Sequence, residues 1–192
     1  MKNSKKIIGL ILIVALVFAG EHVYNKYFDY NFGEITEGKV YKSGVIPPDK
    51  IADYVKEYGI KTIVDFRHGE IGDALNPANL NQIEKEKLAV DAIDGVNYVH
   101  IPSVQIPTEE NLSEFYKTLD NTDAYPVLLH CHHGTGRAMI YSSIYRIEYE
   151  DMNNNEARKG TRPFYSLPFS SFSEGKEKGD YLMNYKKRSD NK

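Results

Sequence analysis

The stretch YPVLLHCHHGTGRAMIYSSIYRIEYE, residues 125–150, joins three local patterns without a break. Residues 125–131 form a short apolar run, which is typical of a buried β-strand. Gly134 and Gly136 then indicate a tight turn. From Arg137 onward, apolar side chains recur with the period of a helix. The stretch therefore predicts a strand, a loop and a helix in direct succession, which is the basic unit of an α/β fold.

The loop in this unit, HCHHGTGR at 130–137, concentrates reactive side chains. Cys131 is the only cysteine of the chain, and Arg137 follows it by six residues. Backbone N–H groups in a strand-to-helix turn converge on an anion, and the positive end of the helix adds to the attraction. The same field favours the thiolate form of Cys131, and the planar guanidinium of Arg137 can bind two oxygens of one phosphate. The loop therefore predicts a phosphate cradle with an ionised sulfur at its base.

The rest of the chain repeats the alternation of strands and helices. Strands are expected at 39–44, 60–66 and 96–102. Helices are expected between Pro48 and Gly59, at 79–92 and after Pro107, with a loop at 67–78 and two short helices between 153 and 185. This alternation predicts an α/β fold with a mainly parallel central sheet flanked by helices.

The N-terminus carries the pattern of an export signal. MKNSKK is a positively charged leader, and residues 7–20 are an unbroken apolar run. At ~1.5 Å per residue this run spans about 21 Å, short of the ~30 Å hydrocarbon core of a bilayer. Residues 1–20 are therefore expected to be a signal peptide or a membrane anchor, with the remaining chain exported. A linker is expected over 21–33, a globular domain over 34–187 and a disordered tail over 188–192.

Composition and charge restrict the partners of the chain. The formal net charge is −3, and the chain after the N-terminal lysines holds 21 basic against 27 acidic side chains. This mildly acidic balance disfavours nucleic acid as a partner. The four adjacent donors of HCHH point in different directions at a strand end, so no metal is expected. Contact with a membrane is expected only through the N-terminal segment, and the domain is expected to be a monomer.

The motif HCHHGTGR matches the HCxxGxxR signature loop of the cysteine-dependent protein tyrosine and dual-specificity phosphatases. Similar stretches are KVYKSGVIPPDKIADYVKEYGIKTIVDFR at 39–67, VNYVHIP at 96–102 and GDYLMNYKKR at 179–188. Over roughly residues 32–187 the chain resembles the small, exported bacterial members of this superfamily. The resemblance implies a three-layer domain that hydrolyses the phosphate monoester of a phosphorylated protein or a small molecule without a cofactor.

The resemblance also implies roles for the loop residues. Cys131 is the nucleophile that forms a thiophosphate intermediate, and Arg137 binds the phosphate and stabilises the transition state. His130 helps to position and ionise the thiol. The other phosphate-binding residues are His132, His133, Gly134, Thr135 and Gly136. Of these, His132 and His133 are expected at the mouth of the pocket, where a positive charge near about pH 6.5 would favour an anionic substrate.

Two positions depart from the family pattern. The residue after the arginine is usually Ser or Thr, whose hydroxyl helps the thiolate to leave, and here it is Ala138. The general acid of the family is an Asp in the loop after the strand at 96–102, and here that loop reads SVQIPTEE. Glu109 and Glu110 are the nearby carboxylates, but a place in the first turn of a helix is typical of residues that complement the helix dipole. The identity of the general acid therefore stays open.

These departures leave two alternatives open. A phosphate-binding pseudophosphatase would keep the cradle but show little turnover. A rhodanese-like sulfurtransferase also seats a cysteine in an anion-binding loop, although the pairing of His130 with Arg137 favours a phosphatase. Asp65 and Arg67 end a buried strand, so either side chain could reach the active site. We expect them instead to form an ion pair that ties loops together.

Overall fold

The central sheet of the computed structural model contains five strands, and the structure describes residues 2–27, 29–69, 79–160 and 167–191. The strands are β1 (Gly33–Thr36), β2 (Val40–Ser43), β3 (Thr62–Asp65), β4 (Asn97–His100) and β5 (Val127–His130). Their order in the sheet is β1-β2-β5-β3-β4, and only β1 is antiparallel to its neighbour. The expected mainly parallel sheet is confirmed. Strand β1 was not predicted, because GEIT contains a single apolar side chain and no run that indicates a strand.

Helices cover both faces of this sheet. The α-helices of the described residues are α1 (Lys2–Tyr27), α2 (Ile51–Tyr58), α3 (Leu80–Asp91), α4 (Glu109–Leu119), α5 (Arg137–Tyr149), α6 (Asn154–Gly160) and α7 (Glu177–Met183), of which α1 precedes the sheet and exposes its apolar side chains. Apolar side chains of α2 and α3 pack on one face, and those of α4, α5 and α7 pack on the other. The expected three-layer α/β domain is confirmed, including the two short helices before residue 185.

The four parallel strands owe their position to burial on both faces. Successive residues of β5 alternate between the two layers: Val127 and Leu129 contact the α5 side, and Leu128 contacts the α2 side. Full burial of each such side chain stabilises the fold by about 1.5–3 kcal/mol. Because the strands are held in register by these contacts, their carboxyl ends form a fixed edge on which a site can be built.

The segments outside the expected domain are more ordered than the sequence indicated. Helix α1 continues through most of the stretch expected as a linker, and Phe32 then stacks on Tyr41 with ring centroids 5.4 Å apart. Residues Arg188–Asn191, expected to be disordered, form a 3₁₀ turn. The reason is that Arg188 donates to Glu148 at 3.0 Å and to Asp120 at 2.9 Å. Within the described part of the chain, no helix has the length and apolar character needed to cross a membrane.

Some of the expectations fall on residues that the structure does not describe. These residues are 70–78 of the expected loop at 67–78, residues 161–166, and Met1, Phe28 and Lys192.

Candidate active site

The loop at 130–137 lies at the carboxyl edge of the sheet, between the end of β5 and the start of α5. Strands β2 and β3 flank β5 in parallel, so their last residues, Ser43 and Asp65, stand beside His130. The carboxyl edge of a parallel sheet is the usual place for a ligand in α/β proteins. The expected strand, loop and helix are therefore confirmed, and neighbouring strand ends surround the loop.

Gly134 allows the loop to press against the end of β2. Its φ is +69°, a left-handed conformation that side chains rarely adopt, and a Cβ there would lie 2.4 Å from the backbone nitrogen of Gly44. Any other residue would therefore strain the backbone and collide with β2. The glycine is required by close packing.

Three successive carbonyl oxygens of the loop turn outward and accept hydrogen bonds. The pairs are His132 O with Val45 N–H at 3.0 Å, His133 O with Asn31 Nδ2 at 2.9 Å and Gly134 O with Lys42 Nζ at 3.3 Å. When successive carbonyls face one side of a turn, the N–H groups face the other. In the described residues, no group accepts a hydrogen bond from the amides of Gly134, Thr135 or Gly136. These amides form an anion cradle at the N-terminus of α5.

Cys131 directly follows β5 and is part of the same loop. Its side chain is 1% exposed and belongs to the hydrophobic cluster on the α5 side of the sheet. Its backbone N–H donates to Ser43 O at 3.4 Å, which continues the β2–β5 pairing beyond the strand end. The backbone of Cys131 is therefore fixed to the end of β2, and its side chain is fixed by packing in the cluster.

Arg137 brings a buried guanidinium to the same loop. Its Nη1 donates to Phe66 O at 2.8 Å and to Ser103 O at 2.9 Å. Its Nε and Nη2 are buried and have no hydrogen-bond partner among the described residues. Two carbonyls thus fix one side of the guanidinium, while the other side presents two adjacent donors suited to two oxygens of a phosphate.

His130 lies behind the loop in a buried network of charges. Its Nε2 is 2.9 Å from Glu86 Oε1 and 3.7 Å from Asp65 Oδ1. Burial alone would disfavour the imidazolium, but the carboxylates of Glu86 and Asp65 outweigh burial and raise the pKa of His130. The side chain points to the α3 side of the sheet, whereas Cys131 packs on the α5 side. The geometry therefore makes His130 a support for the strand end that carries the cysteine.

Arg67 joins the same network and contacts both of its carboxylates. Its Nη2 lies 2.6 Å from both Asp65 Oδ2 and Glu86 Oε2. Burial opposes the ionisation of Asp65, but His130, Arg67 and a hydrogen bond from Tyr98 outweigh it and lower the pKa of Asp65 to about 2. The expected ion pair between Asp65 and Arg67 is confirmed.

The cluster of Asp65, Glu86 and His130 brings three potential ligand atoms within 4.8 Å of one another. A divalent cation there would repel the guanidinium of Arg67, which already contacts both carboxylates. The donor set therefore fits an ion-pair network better than a metal site.

Glu86 is a member of this network that was not predicted from the sequence. It lies on the face of α3 that also carries the buried Ile83 and Val90. A charged residue at helical spacing on an apolar face was the signal that could have found it.

The other loop histidines lie nearer to solvent. His132 is half-buried and His133 is exposed. Burial, together with the charges of His133, Arg67 and Arg137, lowers the pKa of His132. A positive charge on His132 therefore requires a more acidic solution than an ordinary imidazole does.

Glu109 and Glu110, the carboxylates closest in sequence to the expected position of the general acid, lie at the start of α4. Thr108 and Asn111 form a capping box, and Glu109 and Glu110 occupy the first turn. A backbone hydrogen bond and a hydrogen bond from Thr108 lower the pKa of Glu110, whereas a general acid needs a raised one. The interpretation of Glu110 as a helix-terminal residue is therefore supported.

Comparison with known protein families identifies the family to which this chain belongs. The model of the family described as "DSP-PTPase phosphatase fused to NAD+ Kinase" matches residues 22–175. Comparison with curated proteins by sequence found no match.

Several solved structures share the fold. The core catalytic domain of the PP-IP phosphatase SIW14 from S. cerevisiae is 14% identical, with a TM-score of 0.59, covering 83% of this chain and 87% of that one. TpbA from P. aeruginosa is 16% identical, with a TM-score of 0.56, covering 82% and 86%. A putative phosphatase (DUF442) from Shewanella putrefaciens CN-32 is 18% identical, with a TM-score of 0.53, covering 84% and 93%.

At these identities the solved structures establish the fold, whereas the family model covers most of the chain and carries the assignment. The signature loop with its anion cradle agrees with that assignment. The chain belongs to the DSP-PTPase phosphatase family and is a hydrolase of phosphate monoesters.

Proposed function

We propose that the chain hydrolyses phosphate monoesters in two steps through a phosphorylated Cys131. The thiolate of Cys131 attacks the phosphorus and the alcohol leaves; water then releases the phosphate and regenerates the thiolate. The loop amides and the two buried nitrogens of Arg137 bind the non-bridging oxygens, whose charge they stabilise in the transition state. The observation that carries this proposal is the placement of the unpartnered Nε and Nη2 of Arg137 in the loop that holds the buried sulfur.

The substrates are proposed to be esters whose leaving groups are weakly basic, such as aryl phosphates. The loop where the family carries its acidic Asp contains no Asp here, and leaving groups of low basicity depend least on a proton donor. A cysteine-to-serine variant of TpbA was solved in complex with pTyr, an aryl phosphate. A phosphorylated protein or a small aryl phosphate is the corresponding proposal for this chain.

Replacement of the cysteine tests the mechanism. Cys131→Ser should lower the turnover of p-nitrophenyl phosphate by about 10⁴-fold or more, because an alcohol at this position is not ionised. The variant should still bind inorganic phosphate, since the amides and Arg137 remain. Unchanged turnover in Cys131→Ser would contradict the assignment.

Two other outcomes correspond to the alternative functions. Phosphate binding without turnover by the wild-type chain would indicate a pseudophosphatase, which Ala138 favours. Sulfur transfer from thiosulfate to cyanide faster than phosphate release would indicate a sulfurtransferase.

We also propose that residues 1–20 direct the domain out of the cytoplasm as a signal peptide or an anchor, and that the exported domain acts as a monomer. The support is the lysine-rich leader followed by the apolar run at 7–20. Deletion of residues 2–20 should retain the protein in the cytoplasm of a bacterial host, as measured by cell fractionation. Equal export with and without this segment would contradict the proposal.

A further inference from the structure

The loop between β4 and α4 brings a glutamine to the phosphate cradle. Gln105 Oε1 lies 3.6 Å from the position that a Cβ would take on Gly136. Gly136 directly precedes Arg137 and belongs to the cradle. The family resemblance places a carboxylic acid on this loop, on the side where the leaving group departs. An amide cannot supply the proton of a carboxylic acid, so Gln105 itself does not replace the general acid of the family.

Lys178 reaches the same point from α7. Its Nζ lies 3.3 Å from the Cβ position on Gly136, so the ammonium and the carbonyl of Gln105 converge above this glycine. The side chain of Lys178 is half-buried, and its Nζ is 5.8 Å from the centroid of the buried Phe172 ring. A cation therefore stands beside the cradle, next to the loop that carries the general acid in the family.

The position of Lys178 is fixed by close packing at the start of α7. A Cβ on Gly179 would lie 2.0 Å from Ser173 O, so the helix begins directly against the preceding turns. Asp180 accepts a hydrogen bond from Gly175 N–H at 2.8 Å and closes this turn. The lysine is thus directed toward the loop by an ordered segment.

We propose that Lys178 is the catalytic residue that meets the leaving-group oxygen, in the place where the family uses a carboxylic acid. This inference rests on the proposed function, because it concerns the first step of the same reaction. As the bond between phosphorus and the leaving oxygen breaks and the bond to the sulfur of Cys131 forms, a proton passes from Nζ to the leaving oxygen. In the second step, water adds to phosphorus, its proton returns to Nζ, and the thiolate departs. Gln105 orients the ammonium or the leaving group.

A series of substrates with different leaving groups tests this role. Lys178→Gln should lower kcat/KM only a few-fold for a dinitrophenyl phosphate and by about 10²–10⁴-fold for an alkyl phosphate, because basic leaving groups depend most on a proton donor. Lys178→Arg keeps a cation, and its kcat/KM for each substrate should lie between that of the wild type and that of Lys178→Gln. The matched control is Lys176→Gln, which removes an exposed lysine two residues away and should leave every rate unchanged.

The same series contains the outcome that would overturn the proposal. An equal loss for all leaving groups in Lys178→Gln would show that the lysine only binds substrate. Gln105→Glu in the Lys178→Gln background provides a second test, since a carboxylic acid at position 105, without the lysine beside it, should restore the rate for alkyl phosphates; no recovery would contradict the placement. Circular dichroism confirms folding of each variant. Failure of the mechanism itself would appear separately, as unchanged turnover of p-nitrophenyl phosphate in Cys131→Ser.

Discussion

Arg137 shows at the residue scale what the loop is built to bind. A buried polar group without a partner costs roughly 1–3 kcal/mol, and two nitrogens of this side chain are in that state among the described residues. The contacts of Nη1 with Phe66 O and Ser103 O hold the guanidinium in place despite this cost. An oxyanion between the amides and Arg137 would satisfy both nitrogens, which is the physical reason why the loop favours phosphate.

Ala138 is expected to slow the second step of the reaction. Its side chain is fully buried in the first turn of α5. Ala138→Ser introduces the hydroxyl that the family uses to stabilise the departing thiolate. One donor aimed at a developing anion is worth about 10²–10³-fold in kcat, so we expect at least a roughly ten-fold faster breakdown of the thiophosphate.

Rapid-quench kinetics with p-nitrophenyl phosphate would measure this change. The burst of nitrophenol should shrink in Ala138→Ser while inhibition by inorganic phosphate stays the same, since the cradle is unchanged. An unaltered burst and kcat would show that hydrolysis of the intermediate is not limited at this position.

At the scale of elements, the charges behind the loop connect two strands with a helix. Asp65 ends β3, His130 ends β5 and Glu86 lies on α3, and Arg67 contacts both carboxylates. The loop that carries Cys131 starts at one member of this network. The position of α3 on the sheet is therefore coupled to the position of the catalytic loop.

Glu86→Gln should destabilise the fold by about 3 kcal/mol, because removal of one partner leaves buried charges uncompensated. The pKa of His130 is raised in the folded chain, so its contribution is fully present below about pH 6.5 and is lost as the pH rises through the folded value. The penalty of Glu86→Gln should accordingly be smaller at alkaline pH. Urea unfolding at two pH values measures it, and the exposed Glu84→Gln on the same helix is the control. A penalty equal to that of Glu84→Gln would contradict the role of Glu86.

At the scale of the whole molecule, Asp65 makes the stability of the fold sensitive to acid. The folded pKa of Asp65 is about 2, below its ordinary value of 3.8, so its contribution is present above about pH 4 and is lost as the pH falls toward 2. The shift corresponds to about 2 kcal/mol. Asp65→Asn should therefore destabilise the chain at pH 6 and differ less from the wild type at pH 3, as measured by urea unfolding. A difference that does not depend on pH would show that Asp65 is protonated throughout.

The C-terminal turn also belongs to the folded domain. Arg188 pairs with the buried carboxylate of Glu148 and stacks on Tyr116, with its guanidinium carbon 4.1 Å from the ring centroid. Arg188→Ala should lower the free energy of unfolding by about 2 kcal/mol, because the buried carboxylate of Glu148 would lose its charged partner and keep only hydrogen bonds from Tyr185 and the backbone. Thermal unfolding measures the change against Lys186→Ala, which removes an exposed lysine. Equal melting temperatures for the two variants would show that residues 188–191 do not stabilise the domain, as the sequence indicated for a disordered tail.

The amino-acid sequence alone determined the fold class and the chemistry of the loop. Local periodicity predicted the parallel strands and the helices that cover them, because burial on one or both faces leaves a repeat that is visible in the chain. The spacing from Cys131 to Arg137 predicted the cradle, because a single strand-to-helix turn brings both residues to one anion. Strand β1 escaped prediction since it has one apolar residue and gains its order from pairing with β2.

Only the tertiary structure decided which distant residues complete the site. Glu86, Gln105 and Lys178 belong to three different elements, and no local pattern relates them to the loop at 130–137. Their electrostatic effect depends on distances that arise when the sheet and its two helical layers close around the strand ends. The lowered pKa of His132 has the same origin, since it results from burial and from neighbouring cations that only the folded chain brings together.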